Sequence, residues 1–287
     1  MTVPAIKVDE ISYYYGDIKA VDGISFEVAQ GEILGFLGPN GAGKSTTIKM
    51  LTGQLSPKTG KASILGVDVR KDDPEVQSQI GVCFEEKNLY MNMSALENLN
   101  FFADLFGLKS ANAEELLQRV GLADRARDRV KHYSKGMQQR LMVARSLINS
   151  PKVLFLDEPT EGLDPASSQA IRKIIKTEAQ RGAAVLLTTH DMHEADELSD
   201  RVVFLNEGKI CAMDTPENLK LKHGRRSVRV RYQEDGKVKE RTVALDEAAT
   251  GEELKAAVDI KGLMTIHTEE ATLENIFIQM TGRGLTE

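Results

Sequence analysis

Tryptophan is absent from the 287 residues, aromatic residues make up only 5%, and cysteine occurs twice, at Cys83 and Cys211. Two cysteines so far apart match no C-x-x-C or Cys/His ligand spacing, which argues against a disulfide framework and a structural zinc site and suits a reducing compartment. Positive charge is not in excess: 37 Lys and Arg stand against 43 Asp and Glu, a formal net charge of −6. A mainly electrostatic grip on nucleic acid or anionic lipid is therefore not expected. No apolar run approaches the roughly 20 residues that span a bilayer, and the amino terminus lacks the charged-then-apolar pattern of a signal peptide. The chain is expected not to cross a membrane. Low-complexity tracts and short-period repeats are missing as well. What is present, 41% hydrophobic and 28% charged residues, is the composition of a globular protein, with length for one large domain plus a small appendage.

Hydrophobic patterning predicts how that length is divided. Residues 6–26 read as two strands around a polar turn at Gly16-Asp17, and a strand over Ile33–Leu37 runs into a glycine-rich segment. Two continuous apolar runs, residues 153–156 and 183–187, have the texture of parallel strands buried on both faces. Residues 137–148 and 165–180 carry apolar side chains at helical spacing, including Leu141, Ala144, Ile171, Ile174 and Ile175. Strands alternating with helices predict an α/β sheet whose ligand lies at the carboxyl ends of the strands. Leu96, Leu99, Phe102, Ala103 and Phe106 mark one face of a helix-rich insertion, a subdomain over about residues 90–150 with Gly107 as a stop. Past Thr215-Pro216 the texture shifts to alternation at Val228, Val230 and Tyr232, a turn over Glu234-Asp235-Gly236-Lys237, then alternation again. A small α+β unit over residues 220–287 is expected, following a larger domain over residues 1–219.

Chemistry concentrates in the larger part. Gly38-Pro39-Asn40-Gly41-Ala42-Gly43-Lys44-Ser45-Thr46 fits the phosphate-loop pattern G-x4-G-K-[ST], between a buried strand and a helix where the mechanism needs it. Glycines let successive backbone N–H groups converge on phosphates, the helix dipole adds positive potential, Lys44 reaches the β/γ oxygens and Ser45 meets Mg²⁺. The ligand expected is a nucleoside triphosphate with magnesium. Further on, the apolar run at 153–156 delivers Asp157 and Glu158 at its carboxyl end. Near a metal-bound triphosphate such a pair has two jobs: Asp157 would hold the Mg²⁺ shell, and Glu158 would polarise the attacking water as general base.

Between these elements, Tyr133-Ser134-Lys135-Gly136-Met137-Gln138-Gln139-Arg140 opens a helix with Ser134 at its cap. This segment resembles the LSGGQ signature of ATP-binding cassette (ABC) ATPases, with Ser134 and the second glycine, Gly136, kept. Tyr133, Lys135 and Met137 depart from it. The resemblance covers nearly all of residues 5–215 and implies a P-loop NTPase fold with an antiparallel β subdomain and an inserted helical subdomain. It implies that Ser134 and Gly136 bind the γ-phosphate of ATP held by the other cassette of a head-to-tail dimer. Residues 159–165 look like the D-loop, with Asp164 linking the two sites, and His190 looks like the histidine that senses the γ-phosphate. Tyr15 matches the aromatic residue that stacks on adenine, although Tyr13 and Tyr14 are adjacent to it. In the position of the family's Q-loop glutamine this chain has Glu85, a carboxylate able to ligate Mg²⁺ and expected to strengthen the magnesium requirement. Residues 89–98 would then face a membrane partner.

For a cassette protein of this kind the resemblance implies the ATPase subunit of a transporter. It would be cytoplasmic and peripheral on the inner face of the membrane, paired with a second copy or second ATPase subunit beneath integral membrane permease subunits. The alternative is a soluble cassette protein acting in DNA repair, chromosome structure or translation, a class marked by two phosphate loops, long coiled-coil insertions or zinc-binding cysteine sets. None of these occurs. The Tyr-Ser-Lys-Gly-Met motif, Glu85 and the ending at residues 271–282 resemble the bacterial drug, antibiotic and sodium export branch. In the tail, Arg225, Arg226, Arg229 and Arg231 offer a basic face toward lipid headgroups, but Glu234, Asp235 and Glu240 lie close by, so a solvated strand edge is the favoured expectation, with a dimer contact as the tail's function.

Overall fold

A computed structural model of the protein describes residues 3–108, 112–224, 227–234, 236–245, 250–269 and 271–282. Arg225, Arg226 and Asp235 lie outside the described residues. The chain divides into two compact units, one reaching to Met213 and one running from Asp214 onward.

In the first unit, β1 (Ile6–Tyr15) and β2 (Ile18–Val28) pair antiparallel about the turn at Gly16-Asp17, where Gly16 takes φ 57°. The next elements are β3 (Ile33–Leu37), α1 (Lys44–Leu51), β4 (Thr59–Ile64), β5 (Val67–Asp68), α2 (Pro74–Gln77) and β6 (Ile80–Cys83). The helical stretch holds α3 (Ala95–Leu105), α4 (Ala113–Arg119) and α5 (Lys135–Ser146). It leads into β7 (Val153–Asp157), α6 (Pro165–Gln180), β8 (Ala184–Thr189), α7 (Met192–Leu198), β9 (Arg201–Asn206) and β10 (Lys209–Asp214). One sheet has the order β2-β1-β4-β5 with antiparallel pairing; the other has the order β10-β9-β3-β8-β7-β6. Within the second, β9, β3, β8, β7 and β6 are parallel.

Every residue of β3, β7 and β8 is buried, as their continuous apolar runs require. Their side chains alternate between two cores. Leu154, Leu156, Val185 and Leu187 join the helices α3 to α6, whereas Val153, Phe155, Ala184 and Leu186 join α1 and the antiparallel sheet. Ile171, Ile174 and Ile175 of α6 reach the first core at the spacing of one helix face. The helix-rich block beginning at Ala95 is split, because α3 ends in Phe106-Gly107 with Gly107 at φ 67°. Its start is fixed by a capping box in which Ser94 takes the Glu97 amide and Glu97 takes the Ser94 amide. Phe106, expected on the buried face, is instead partly exposed, since the helix has ended before it.

In the second unit, α8 (Pro216–His223) precedes β11 (Ser227–Glu234), β12 (Lys237–Ala244), α9 (Thr250–Val258), β13 (Leu263–Glu269) and α10 (Leu273–Thr281). The sheet order is β12-β11-β13, antiparallel, with Val228, Val230, Val243 and Ala257 as its small core. The boundary expected at 219/220 falls inside α8. That helix packs against α10, which puts the division upstream at Met213/Asp214. Among the described residues no helix is long and apolar enough to cross a membrane.

Candidate active site

The turn from β3 into α1 is built around glycines that nothing larger can replace. A Cβ on Gly38 would lie 2.2 Å from the Leu205 carbonyl oxygen, and one on Gly43 would lie 2.4 Å from that of Ala20. Gly43 also holds φ 106° and caps α1 without any side-chain hydrogen bond. The first amides of α1 therefore lack intrahelical partners, and its positive end faces the loop. That is the arrangement that takes a phosphate. Lys44, itself buried, folds back and donates from Nζ to the Gly38 carbonyl at 2.6 Å.

A cleft of ≈ 550 Å³ opens over this loop. Pro39, Asn40, Gly41, Ala42, Gly43, Lys44, Ser45 and Thr46 line it, together with Tyr15, Glu85, Glu158 and His190. Tyr15 is 47% exposed and stands edge-on to Tyr13 at 4.9 Å between ring centroids. Its neighbours are engaged elsewhere: Tyr13 packs on the core with Lys58 over its ring, and Lys19 lies over Tyr14. Gly38 lies behind the lining, pressed against Leu205.

The carboxylates at the end of β7 point in different directions. Asp157 is buried behind the cleft, where its Oδ1 accepts the Thr188 hydroxyl. Glu158 follows at φ 49°, a left-handed backbone that non-glycine residues adopt only under restraint. Its amide donates to the Thr188 carbonyl at 3.1 Å, and its own carbonyl accepts from Gln139 of α5 at 3.3 Å. In the cleft, Glu158 Oε2 meets His190 Nδ1 at 3.0 Å, and Oε1 lies 3.6 Å from Lys44 Nζ with no hydrogen-bond partner among the described residues. Burial pushes the Glu158 carboxyl above the usual range, against the opposing pull of His190 and then Lys44.

Ser134, Gly136 and Asp164 do not line this cleft. Ser134 caps α5 by accepting the Met137 amide, and Asp164 caps α6 by accepting the Ser167 amide and hydroxyl. Gly136 lies against the loop that holds Asp164, since a Cβ there would come within 3.2 Å of Leu163 Cδ2. Sequence reasoning missed Lys19 and Glu161, which also line the cleft, and Thr188, which holds both Asp157 and Glu158. Lys19 was findable from its place just past the Tyr15 turn. The segment 89–98 is not a continuous surface: Leu89, Ala95 and Asn98 are buried, and Asn98 ties down the Tyr90 backbone. Tyr90 and Met91 are the exposed apolar residues there.

The profile of the ABC transporter family matches residues 21–161. The chain is 47% identical to a fluoroquinolones export ATP-binding protein of Mycobacterium tuberculosis, over 93% of this chain and 89% of that one. It is 40% identical to a daunorubicin resistance ATP-binding protein of Streptomyces coeruleorubidus, over 83% and 77% respectively. Among solved structures, an ATP-binding subunit of an ABC transporter superimposes with a TM-score of 0.70 at 30% identity, over 77% of this chain and 93% of that one. A dimeric ATP-binding cassette bound to ADP and Pi, in a post-hydrolysis state, gives 0.66 at 26% identity, over 73% and 98%. With the phosphate loop, the buried Glu158 and His190 in one cleft, these likenesses place the chain in the ABC transporter family, as an ATP-binding subunit whose family hydrolyses ATP.

Proposed function

We propose that this subunit powers export, as one of two cassettes working beneath integral membrane permease subunits. The observation that carries the pairing is the division of the site. Lys44, Glu158 and His190 meet in one cleft, while Ser134, Gly136 and Asp164 stand outside it. Residues that serve a phosphate yet miss their own cleft are accounted for if they serve the cleft of a second copy or a second ATPase subunit. Export is favoured by the likeness to fluoroquinolone-export and daunorubicin-resistance proteins. None of these relatives supports the alternative of a soluble cassette in DNA repair, chromosome structure or translation.

In this reading ATP lies with its adenine on Tyr15 and its phosphates on residues 38–46, with Lys44 turned from the Gly38 carbonyl to the β/γ oxygens. Among the described residues no three His, Cys, Asp or Glu side chains converge as a metal site. A Mg²⁺ ion that shares phosphate oxygens needs only one or two protein ligands, and Ser45 and Glu85 in the cleft, backed by Asp157, fit that demand. The cation would supply neutralisation of phosphate charge. Glu158 holds the proton taken from water, and His190 orients Glu158 and the γ-phosphate. Tyr90 and Met91 offer the membrane subunit an apolar contact on the cytoplasmic side, and the unit from Asp214 onward is an accessory domain.

Pull-down of tagged Glu158→Gln protein with ATP from detergent-solubilised membranes of its own cell tests this. A polytopic membrane protein in stoichiometric yield is expected. Recovery of the chain alone, or with ribosomes or DNA, would overturn the transporter reading.

A further inference from the structure

Besides Asp157, two glutamates are buried near the cleft end of the sheet, and the reading above uses only one of them, Glu158. The other, Glu194 on α7, is 1% exposed and does not line the cleft. Its Oε1 accepts the Thr160 hydroxyl at 2.6 Å, and its Oε2 is buried without a hydrogen-bond partner among the described residues. Thr160 stands two residues after Glu158. On the other side, Thr189, whose hydroxyl accepts the Asp191 amide at 3.0 Å, immediately precedes His190. The Asp191 carboxylate takes the His193 and Glu194 amides, which fixes the turn from His190 into α7.

A buried carboxyl with one unsatisfied oxygen costs stability that an apolar side chain of the same size would not. Packing alone does not account for it. Glu158 needs restraint on both sides to hold its left-handed backbone. The upstream restraint is its amide on Thr188, and the downstream one is Thr160 on Glu194. We propose that Glu194 is a positioning residue for hydrolysis: through Thr160 it fixes the segment bearing Glu158 in the register at which that side chain faces His190. The inference rests on Glu158 and His190 carrying hydrolysis.

The test uses the full chain with Glu194→Met, which keeps the volume and removes the acceptor, Glu194→Gln, which keeps an acceptor for Thr160, and Thr160→Val. For the Met and Val variants kcat is expected to fall about tenfold while ATP affinity stays within about twofold, with Gln recovering most of the loss. Because both substitutions cut one link, the Glu194→Met/Thr160→Val double variant should be no slower than the worse single. The thermal midpoint of the Met variant should hold or rise. Turnover unchanged in the Met and Val variants overturns the proposal, and so does a loss of kcat matched by lost ATP affinity or a collapsed midpoint. If the Met variant does not fold, Thr160→Val decides by the same readouts. Glu158→Gln is measured alongside. Normal turnover there would break the site reading itself, whereas its loss beside full activity in the Met and Val variants would break only this inference.

Discussion

In the unit reaching to Met213, Lys44, Asp157, Glu158, Glu178 and Glu194 are all buried; from Asp214 onward no charged side chain among the described residues is. The contrast follows from core size. Taking an ion out of water costs several kcal/mol even after relaxation. In the first unit that cost is offset by two apolar cores on opposite faces of a six-stranded sheet. The second unit has one small core, and its Arg and Glu residues pair across an exposed face, as Arg231 does with Glu240 at 3.0 Å. Buried charge is what gives Glu158 a raised proton affinity, and only the first unit can hold it.

The sharpest way to break that contrast is to neutralise the buried charge. Glu158→Gln should cut hydrolysis by about 10²- to 10⁴-fold, ~3–5 kcal/mol of barrier, while ATP binding persists. The pH dependence has a defined sign. Hydrolysis needs the ionised carboxylate, and burial raises the Glu158 pKa, so turnover should fall on acidification at a pH above the ordinary carboxylate range. Unimpaired turnover of the Gln variant, or an acid limb no higher than an exposed glutamate would give, would remove Glu158 from the base role.

Next in size are paired truncations, one in each unit. Phe155→Ala opens a void in β7 beside Asp157 and should cost about 3–5 kcal/mol; Val230→Ala in β11 should cost about 2 kcal/mol. Native-state hydrogen exchange should show protection lost across β3, β7 and β8 in the first case and in β11 to β13 in the second. Equal loss in both regions from either substitution would show that the two cores open as one.

Much of this was legible in the chain itself, for identifiable reasons. Runs at 153–156 and 183–187 are apolar without interruption, which only doubly buried strands tolerate, and β7 and β8 lie there. Gly38 to Thr46 declared a loop between strand and helix because backbone approach demands glycine at set positions. By contrast, nothing in the pattern marks Glu194 as buried, because an acidic residue in the first turn of a helix normally faces water. Its partner Thr160 is remote in sequence, and such pairs carry no periodic signal. Asn98 ends the segment expected to face a membrane partner, yet it is buried and spent on the Tyr90 backbone, a pairing the sequence does not mark. Asp157 and Glu158 are adjacent, yet the turn at Glu158 sends one behind the cleft and the other into it, which composition does not encode.

The smallest effect belongs to the carboxylate that shares the cleft without being buried. Glu85 is exposed and stands with Glu158 and Glu161 around the place where phosphates would sit. Its charge opposes a triphosphate directly, but water screens it, so its influence is that of a surface charge, about 0.5–1 kcal/mol. Glu85→Gln should therefore raise ATP affinity about two- to fivefold when Mg²⁺ is withheld, and by less when Mg²⁺ is saturating and already offsets the charge. The ratio of the two affinities, measured by calorimetry with and without the cation, isolates this term from any change in folding. A ratio unchanged by the substitution would mean that Glu85 does not act on the phosphates. An affinity shift of about 10²-fold or more would mean that water does not reach it, and the contrast between buried and exposed charge would then fail inside the cleft itself.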